Sequence, residues 1–200
     1  TEAITLALDT VAPDVQAINT PAANTNYTTS GIVVFNASIN NGSGTAIETV
    51  IFQVGNGTTF NLTASKTNDT LYNASVTVAN MDDGNWTLTV YANDTVGNMN
   101  DSETTSFIVD TAAPVTGITT VTEGLNTTDT TPTFTWEVND TWTAVNFSCD
   151  LIIDREINQT FTNVSNGTVF YFTPTVAFAE GNHNWTVSCN DTVEITGNSS

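Results

Sequence analysis

Side chains that perform covalent chemistry are scarce in this chain. His183 is the single histidine among 200 residues, so neither a Ser-His-Asp set nor a Cys/His zinc set finds a second imidazole. No glycine-rich phosphate loop is present. No two of the 21 acidic residues stand out as a catalytic carboxylate pair for glycoside hydrolysis. The sequence therefore predicts a protein that is not an enzyme and has no catalytic residues. We expect His183 to lie at the edge of a strand.

The two cysteines, Cys149 and Cys189, are the side chains most ready to react with each other. Each is in phase with the apolar residues of an alternating run, so both should point into the buried face of a sheet. An extracellular setting favours a disulfide between them, worth about 2–4 kcal/mol of stability. The alternative is a pair of free, buried thiols.

Asparagine has the clearest chemical signature. Nineteen of the 25 asparagines begin an Asn-x-Ser/Thr triplet, the acceptor for N-linked glycans, although serine and threonine make up only about a quarter of the chain. On strands they alternate with inward apolar residues, so sugars would stand in solvent. We expect several sites to be occupied; the alternative is that many stay empty, because occupancy depends on the host. The acceptors are Asn26, Asn36, Asn41, Asn56, Asn61, Asn68, Asn73, Asn85, Asn93, Asn100, Asn126, Asn139, Asn146, Asn158, Asn163, Asn166, Asn184, Asn190 and Asn198.

The charge balance excludes two classes of partner. Lys66 and Arg155 are the only basic side chains beside 21 acidic ones, which gives a formal net charge of -19. Nucleic acids and anionic lipid surfaces need clustered cations, so we expect neither as a partner. No apolar run approaches the ~20 residues that span a bilayer, so we expect no direct membrane insertion. The chain begins Thr-Glu-Ala, which indicates a processed product or an excerpt.

Short runs in which apolar and polar residues alternate occur along the whole chain. Residues 33–39, 50–54, 86–90, 134–138 and 145–151 are examples. Such runs, rich in β-branched and aromatic residues, predict β-strands, and the Asn-Gly, Asp-Gly and Gly-Asn pairs between them predict turns. No stretch keeps a helical period over a useful length. The sequence therefore predicts an all-β protein built from β-sandwiches.

Two motifs occur twice, about 100 residues apart. The Asp-Thr-x-Ala-Pro run at 9–13 returns at 110–114, and residues 84–95 return as 181–192 with a shared Gly-Asn start and a shared Asn-Asp-Thr end. Repeats at this period indicate successive domains of about 100 residues, which is the size of an immunoglobulin-like domain.

These motifs, together with the Asn-Asp-Thr-Val-Gly-Asn run at 93–98, resemble the tandem immunoglobulin-like repeats of prokaryotic, especially archaeal, surface proteins and adhesins. The resemblance covers nearly the whole chain. It implies two tandem immunoglobulin-like β-sandwiches and a scaffolding or adhesive role, and it implies no catalytic residues.

The ends of the chain do not coincide with the ends of the repeats, because they are displaced from them by one strand. Domain one, residues 12–110, ends on a strand at 103–109, and domain two, residues 111–200, shows no counterpart of that strand. The counterpart stands at the N-terminus instead, where residues 2–10 align with 103–111. We therefore predict that the second sandwich lacks its last strand and accepts one from elsewhere.

Residues 1–11 are predicted to be that donor strand, with Ile4, Leu6 and Leu8 pointing into the core of domain two of a neighbouring molecule. Because donor and acceptor surfaces differ, identical subunits would join head-to-tail into a homopolymer. Two alternatives stay open: the chain is one period of a longer covalent array, or the strand folds back onto domain one.

Calcium is the one ion that the sequence suggests. Asp9 and Asp110 stand at equivalent linkers, and Asp94 and Asp191 stand in equivalent loops. In adhesin repeats of the kind that this chain resembles, Ca²⁺ is often held near such linkers by oxygen ligands. The alternative, which we favour, is that these carboxylates cap turns by accepting hydrogen bonds from backbone N–H groups.

These features together predict a structural subunit of an extracellular, N-glycosylated filament or pilus at the cell surface, with roles in adhesion, cell contact or surface protection. Its partners would be identical subunits and N-linked glycans, with no cofactor other than calcium. The alternative is a non-polymerising module of an adhesin stalk or S-layer, excised from a covalent repeat array, that could bind carbohydrate.

Overall fold

Alternating apolar residues fold more than half of this chain into strands. The computed structural model describes residues 6–28, 31–142, 145–192 and 194–199, which form sixteen strands. Their longest helix is the single 3-10 turn Val78–Asn80, so none of the helices in this part of the chain has the length and apolarity that crossing a membrane requires. The all-β prediction is confirmed. Two compact units meet in sequence between Val109 and Asp110.

Unit 1 is a sandwich of two sheets. Its strands are β1 (Asp14–Thr20), β2 (Thr25–Tyr27), β3 (Ile32–Asn40), β4 (Ile47–Asn56), β5 (Thr58–Thr63), β6 (Ser65–Lys66), β7 (Leu71–Thr77), β8 (Gly84–Asp94) and β9 (Met99–Val109). One sheet has the order β1-β3-β7-β6, and the other has the order β2-β9-β8-β4-β5. All pairings are antiparallel except that of the short β2 with the end of β9.

The core of unit 1 lies between these sheets and follows from the period-two pattern. Along β3 every second side chain is buried, and seventeen apolar residues of the unit are buried in one cluster. Phe35 packs against Phe52 and Phe107, with ring centroids 6.2 and 5.9 Å away. Trp86 packs 5.9 Å from Phe60 and donates its indole N–H to the carbonyl oxygen of Asp82.

Unit 2 repeats this plan with fewer paired strands. Its strands are β10 (Val115–Ile118), β11 (Phe134–Asn139), β12 (Val145–Ile153), β13 (Glu156–Ser165), β14 (Thr168–Phe172), β15 (Trp185–Asn190) and β16 (Thr196–Asn198). The two sheets have the orders β10-β11-β14 and β13-β12-β15-β16. Ten apolar residues are buried in its core, compared with seventeen in unit 1. Trp136 is the largest of them and packs between Phe161 and Phe170.

The expectation that unit 2 lacks its last strand needs one refinement. The strand is present for the three residues of β16, where its counterpart β9 in unit 1 has eleven. A tight turn begins it: the backbone N–H of Asp191 donates to the carbonyl of Ile195, and the N–H of Ile195 donates to Asp191 Oδ1. The same backbone hydrogen bond joins Asp94 and Asn98 before β9.

The predicted disulfide between Cys149 and Cys189 is confirmed. Both cysteines are fully buried and lie directly opposite each other on β12 and β15. The same two positions of unit 1 hold Val50 and Ala92, which are also opposite each other. The bridge therefore takes the place of an ordinary apolar pair and joins residues 40 apart in sequence.

Replacing the bridge by the unit 1 pair, as Cys149→Val with Cys189→Ala, should lower the free energy of unfolding of unit 2 by about 2–4 kcal/mol, because the unfolded chain regains its freedom. Tryptophan fluorescence during denaturation reports this, since three of the four tryptophans lie in unit 2. Unit 1, which contains no cysteine, is the internal control. An unchanged unit 2 transition would contradict this role of the bridge.

Candidate functional site

An open strand edge along β15 is the principal candidate site of unit 2. β16 covers its end, where Ser188, Cys189 and Asn190 have strand partners, and the N–H of Ser199 donates to the carbonyl of Val187 at 2.9 Å. Beyond that hydrogen bond, no strand in the described part of the chain covers this edge. In unit 1 the corresponding edge of β8 is paired with β9 over its whole length.

A second strand pairing is missing beside this edge. In unit 1, β2 runs parallel to the end of β9 and pairs with Phe107 and Val109. In unit 2 the described residues 119–133 contain no strand. The two missing pairings flank one gap, which we call the slot: it is bounded by the open edge of β15 and by residues 119–133. In unit 1 the end of β9 fills the equivalent place.

The floor of the slot is aromatic. Phe134 is the counterpart of Phe35 by strand register, and its ring lies 4.8 Å from Trp185 and 6.1 Å from Phe178. Trp185 also donates its indole N–H to the carbonyl of Val121 at 2.8 Å. Phe134 is buried, whereas the other two rings are only half-buried. In unit 1, Phe107 of β9 covers Phe35.

The predicted donor residues project into solvent in the single chain. Leu6 and Leu8 are 89% and 84% exposed, and residues 6–10 form no strand. Ile4 lies outside the described residues. The segment is anchored just after these leucines, because Asp9 accepts hydrogen bonds from the backbone N–H groups of Val11 and Thr45. Over the described residues, then, the strand does not fold back onto unit 1 as an added edge strand.

His183 precedes β15 instead of lying on a strand, which corrects the expected strand-edge position. Its Nδ1 lies 2.7 Å from Asp154 Oδ2, and its Nε2 lies 3.0 Å from the carbonyl oxygen of Ala179. Both oxygens only accept, so the doubly protonated ring satisfies both contacts. The hydrogen bond to Asp154 raises the pKa of His183, and the same bond lowers the pKa of Asp154.

This pair holds the continuation of the open edge in place. The N–H of Asn184 donates to Asp154 Oδ1, and the N–H of Asp154 donates to the carbonyl of Asn184. Residues 183 and 184 are therefore fixed to the turn between β12 and β13. The side chains that line the slot are positioned in part by a charged pair on the surface.

Three carboxylates converge elsewhere in unit 2. Asp110, Asp140 and Asp191 each have an oxygen within 4.8 Å of the others, and the first and last are 1% and 6% exposed. Asp110 and Asp191 are two of the four aspartates that the sequence suggests as calcium ligands, although turn capping is the role favoured for them, and Asp140 is not among the four. Its signal was an Asn-Asp-Thr triplet at the end of a strand, the same triplet that contains Asp94 and Asp191. A donor set of carboxylate oxygens suits a hard cation such as Ca²⁺.

The equivalent aspartates of unit 1 cap turns, as do the three of unit 2, whose Oδ1 atoms accept from the N–H groups of Ala112, Trp142 and Ile195. Asp94 Oδ1 accepts from the N–H groups of Val96 and Asn98, and Oδ2 accepts from the Asn98 amide. Burial tends to raise the pKa of Asp94, but these hydrogen bonds outweigh it and hold the pKa below its usual value. Backbone hydrogen bonds from Val11 and Thr45 lower the pKa of Asp9. Asn41 stands where unit 2 has Asp140, so the third carboxylate is absent from this position.

All nineteen predicted glycan acceptors lie within the described residues, and none is buried. Fourteen are exposed, and five are half-buried: Asn36, Asn56, Asn73, Asn93 and Asn100. Part of every acceptor residue is therefore in contact with solvent, as attachment of a sugar requires. Glycosylation itself stays a prediction.

No protein-family model and no curated protein matches this chain. Among solved structures, three immunoglobulin domains of titin match 96% of this chain and 64% of theirs at 10% identity, with a TM-score of 0.52. Fibronectin(III)-like modules of Clostridium thermocellum CbhA match 90% of this chain and 88% of theirs at 19% identity and a TM-score of 0.38. A bacterial ice-binding adhesin matches 88% and 59% at 16% identity and a TM-score of 0.42.

The titin match shows that the fold is of the immunoglobulin-like β-sandwich type. This confirms the fold that the sequence predicted. The chain spans less than two thirds of the titin and adhesin chains that it matches. At these identities the likeness concerns the fold alone, so the archaeal and adhesin parts of the resemblance stay predictions.

The His183–Asp154 pair should contribute most to the stability of unit 2 in mildly acidic solution. The pKa of Asp154 is lowered from 3.8, so its contribution is present above that value and lost as the pH falls through the folded pKa. The pKa of His183 is raised from 6.5, so its contribution is complete below that value and lost as the pH rises through the folded pKa. In His183→Gln the melting temperature of unit 2 should change less with pH between about pH 4 and 8 than it does in the parent. The same pH dependence in both proteins would contradict the pairing.

Calcium binding is testable by calorimetry. If the three carboxylates of unit 2 hold Ca²⁺, added calcium should raise the melting temperature of unit 2 relative to chelator, because the ion binds only the folded state. Asp140→Asn, which copies Asn41 of unit 1, should remove most of that shift. The unit 1 transition should not move with calcium. Equal melting of unit 2 in calcium and in chelator would show that the cluster is not a calcium site.

Proposed function

We propose that this chain is a structural subunit of an extracellular filament, in which the N-terminal strand of one molecule completes unit 2 of the next. The slot in unit 2 is the observation that carries this proposal. Two strand pairings that unit 1 makes are missing on the two sides of this slot. The segment that aligns with the missing strand stands at the other end of the chain, with its leucines exposed.

The register of the donor follows from the repeat. In unit 1, Glu103 of β9 lies opposite Val90, whose counterpart in unit 2 is Val187. Glu2 aligns with Glu103 and would fall opposite Val187, but Ser199 already holds that position, because its N–H donates to the carbonyl of Val187 and its Oγ accepts from the N–H of Val187. The ladder of the donor would therefore begin one residue later, with Ala3 opposite Thr186, and would continue the short last strand from there.

The same register places the exposed leucines over the aromatic floor. Leu6 takes the place of Phe107 and would cover Phe134, and Leu8 takes the place of Val109. Burying each leucine from its exposed state would contribute about 1.5–3 kcal/mol. The strand would also gain ladder hydrogen bonds on both sides, to residues 181–186 and to the segment 119–133.

Assembly of this kind has a fixed polarity. The donor strand and the acceptor slot are different surfaces, so the contact is head-to-tail and continues as a linear filament when the rotation does not close. The same pairing across a peptide bond would occur in a covalent repeat array. That array, as the stalk of an adhesin, is the alternative function.

The composition supports an extracellular place for the filament. The disulfide persists in oxidising surroundings, and nineteen solvent-accessible acceptor triplets fit a glycan coat. Such a coat would shield β-sheet edges from unwanted association. Adhesion, cell contact and surface protection are the roles that we propose for the assembly.

Removing the donor strand should abolish filaments. Deletion of residues 1–8 keeps Asp9, which caps the turn at Val11 and Thr45, so unit 1 should fold as before. The point variant Leu6→Asp with Leu8→Asp should act in the same way by charging the inward face, whereas Ala7→Asp, on the outward face, should still polymerise. Electron microscopy of the purified protein provides the measurement.

A peptide of residues 1–9 gives a second readout. Added to the deletion variant, it should raise the melting temperature of unit 2, and a peptide with Asp at positions 6 and 8 should not. Filaments that persist after the deletion would rule out strand donation. The stalk module would be favoured if the full-length chain stays monomeric and the peptide leaves the melting temperature of unit 2 unchanged.

A further inference from the structure

The outer face of the five-stranded sheet of unit 1 carries a groove that the proposed assembly does not use. Its volume is about 230 Å³, and its lining residues come from four adjacent strands: Ile51, Gln53, Asn61, Tyr91, Asn93 and Met99. Three amides surround an aromatic ring and two aliphatic side chains, and no lining residue is charged. Such a mixture suits a neutral sugar, which has both apolar ring faces and hydroxyl groups.

A chain of hydrogen bonds joins the aromatic ring to a glycan acceptor. The hydroxyl of Tyr91 donates to Gln53 Oε1 at 3.4 Å, and Gln53 Nε2 donates to Asn61 Oδ1 at 3.2 Å. Asn61 is exposed and begins an acceptor triplet that ends at Thr63. The bond from Gln53 uses Oδ1, whereas a glycan is attached through Nδ2. The carboxamide of Asn61 can therefore be held by Gln53 and carry a sugar together.

We propose that this groove binds the neutral glycan attached to Asn61, with the ring of Tyr91 as the stacking surface. Asn61 on β5 and Tyr91 on β8 are separated by β4, so they lie about 10 Å apart at the usual strand spacing. The first sugars of an attached glycan span that distance. Attachment keeps the local sugar concentration high, so weak stacking suffices for occupancy.

Asn93 is the other acceptor in the groove, and its environment differs. Its amide donates to Glu48 Oε2 at 3.3 Å, and the residue is half-buried. Its Nδ2 is thus directed to a carboxylate at the rim, whereas Asn61 is exposed. For this reason we assign the bound glycan to Asn61. The inference rests on the proposed glycosylation of that residue and is independent of strand donation.

Thr63→Ala tests the proposal, because it removes the acceptor triplet and leaves both Asn61 and Gln53 unchanged. In protein from a glycosylating host, glycopeptide mass spectrometry should find sugar on Asn61 in the parent and none in the variant. Nuclear Overhauser contacts between the Tyr91 ring and sugar protons should appear only in the parent. The variant should melt a few degrees lower in unit 1, and this difference should shrink in a Tyr91→Ser background.

Two controls isolate the groove. Thr70→Ala removes the acceptor triplet of Asn68, which lies in the loop between β6 and β7, and should leave the contacts of Tyr91 unchanged. In unglycosylated protein, the change in the melting temperature of unit 1 caused by Thr63→Ala is due to the substitution alone. That change is subtracted from the change measured in the glycosylated protein. An unmodified Asn61, or an occupied one without contacts to Tyr91, would overturn the proposal. Neither result bears on filament formation, which is tested separately by electron microscopy.

Discussion

A β-strand in a sandwich is stable only when its backbone is paired and its inward side chains are covered, and this requirement governs the difference between the two units. In unit 1 the end of β9 is paired with β8 on one side and with β2 on the other. Phe107 on that strand covers Phe35. Among the described residues of unit 2 the same stretch of strand is absent, so the counterpart of β2 has nothing to pair with, and Trp185 stays half-buried. One missing segment thus accounts for the open edge, the absent strand and the smaller core.

Features that follow from the periodicity of a single strand could be predicted from the sequence, whereas features that depend on the pairing between strands could not. The long strands and the Cys149–Cys189 bridge follow from alternation, because inward phase is a property of each strand alone. β2 and β6 have three and two residues, too few to show a period, and each exists through its neighbour in a sheet. Asp140 was missed for a similar reason, since only the register of β11 brings it near Asp110 and Asp191.

The two repeats keep their backbone plan while their chemistry diverges around the slot. Unit 2 has a disulfide where unit 1 has an apolar pair. It has Asp140 where unit 1 has Asn41, and His183 where unit 1 has the buried Trp86. A sandwich with a smaller core has less apolar burial to stabilise it. A covalent bridge and a charged pair supply restraint that does not depend on the last strand, so they would hold the slot in shape before a strand arrives.

Strand addition is selective only when other edges resist it, and here the resistance would come from sugars rather than from charge. Natural sheets often protect their edges with lysine, but this chain has Lys66 as its only lysine. The edge strands β5 and β13 carry the acceptors Asn61, Asn158 and Asn163 instead. Glycans there would stand against an approaching strand, because a branched polar chain cannot enter a sheet interface without losing its water. Association would then be directed away from these two edges, and the slot of unit 2, with its aromatic floor, would be favoured.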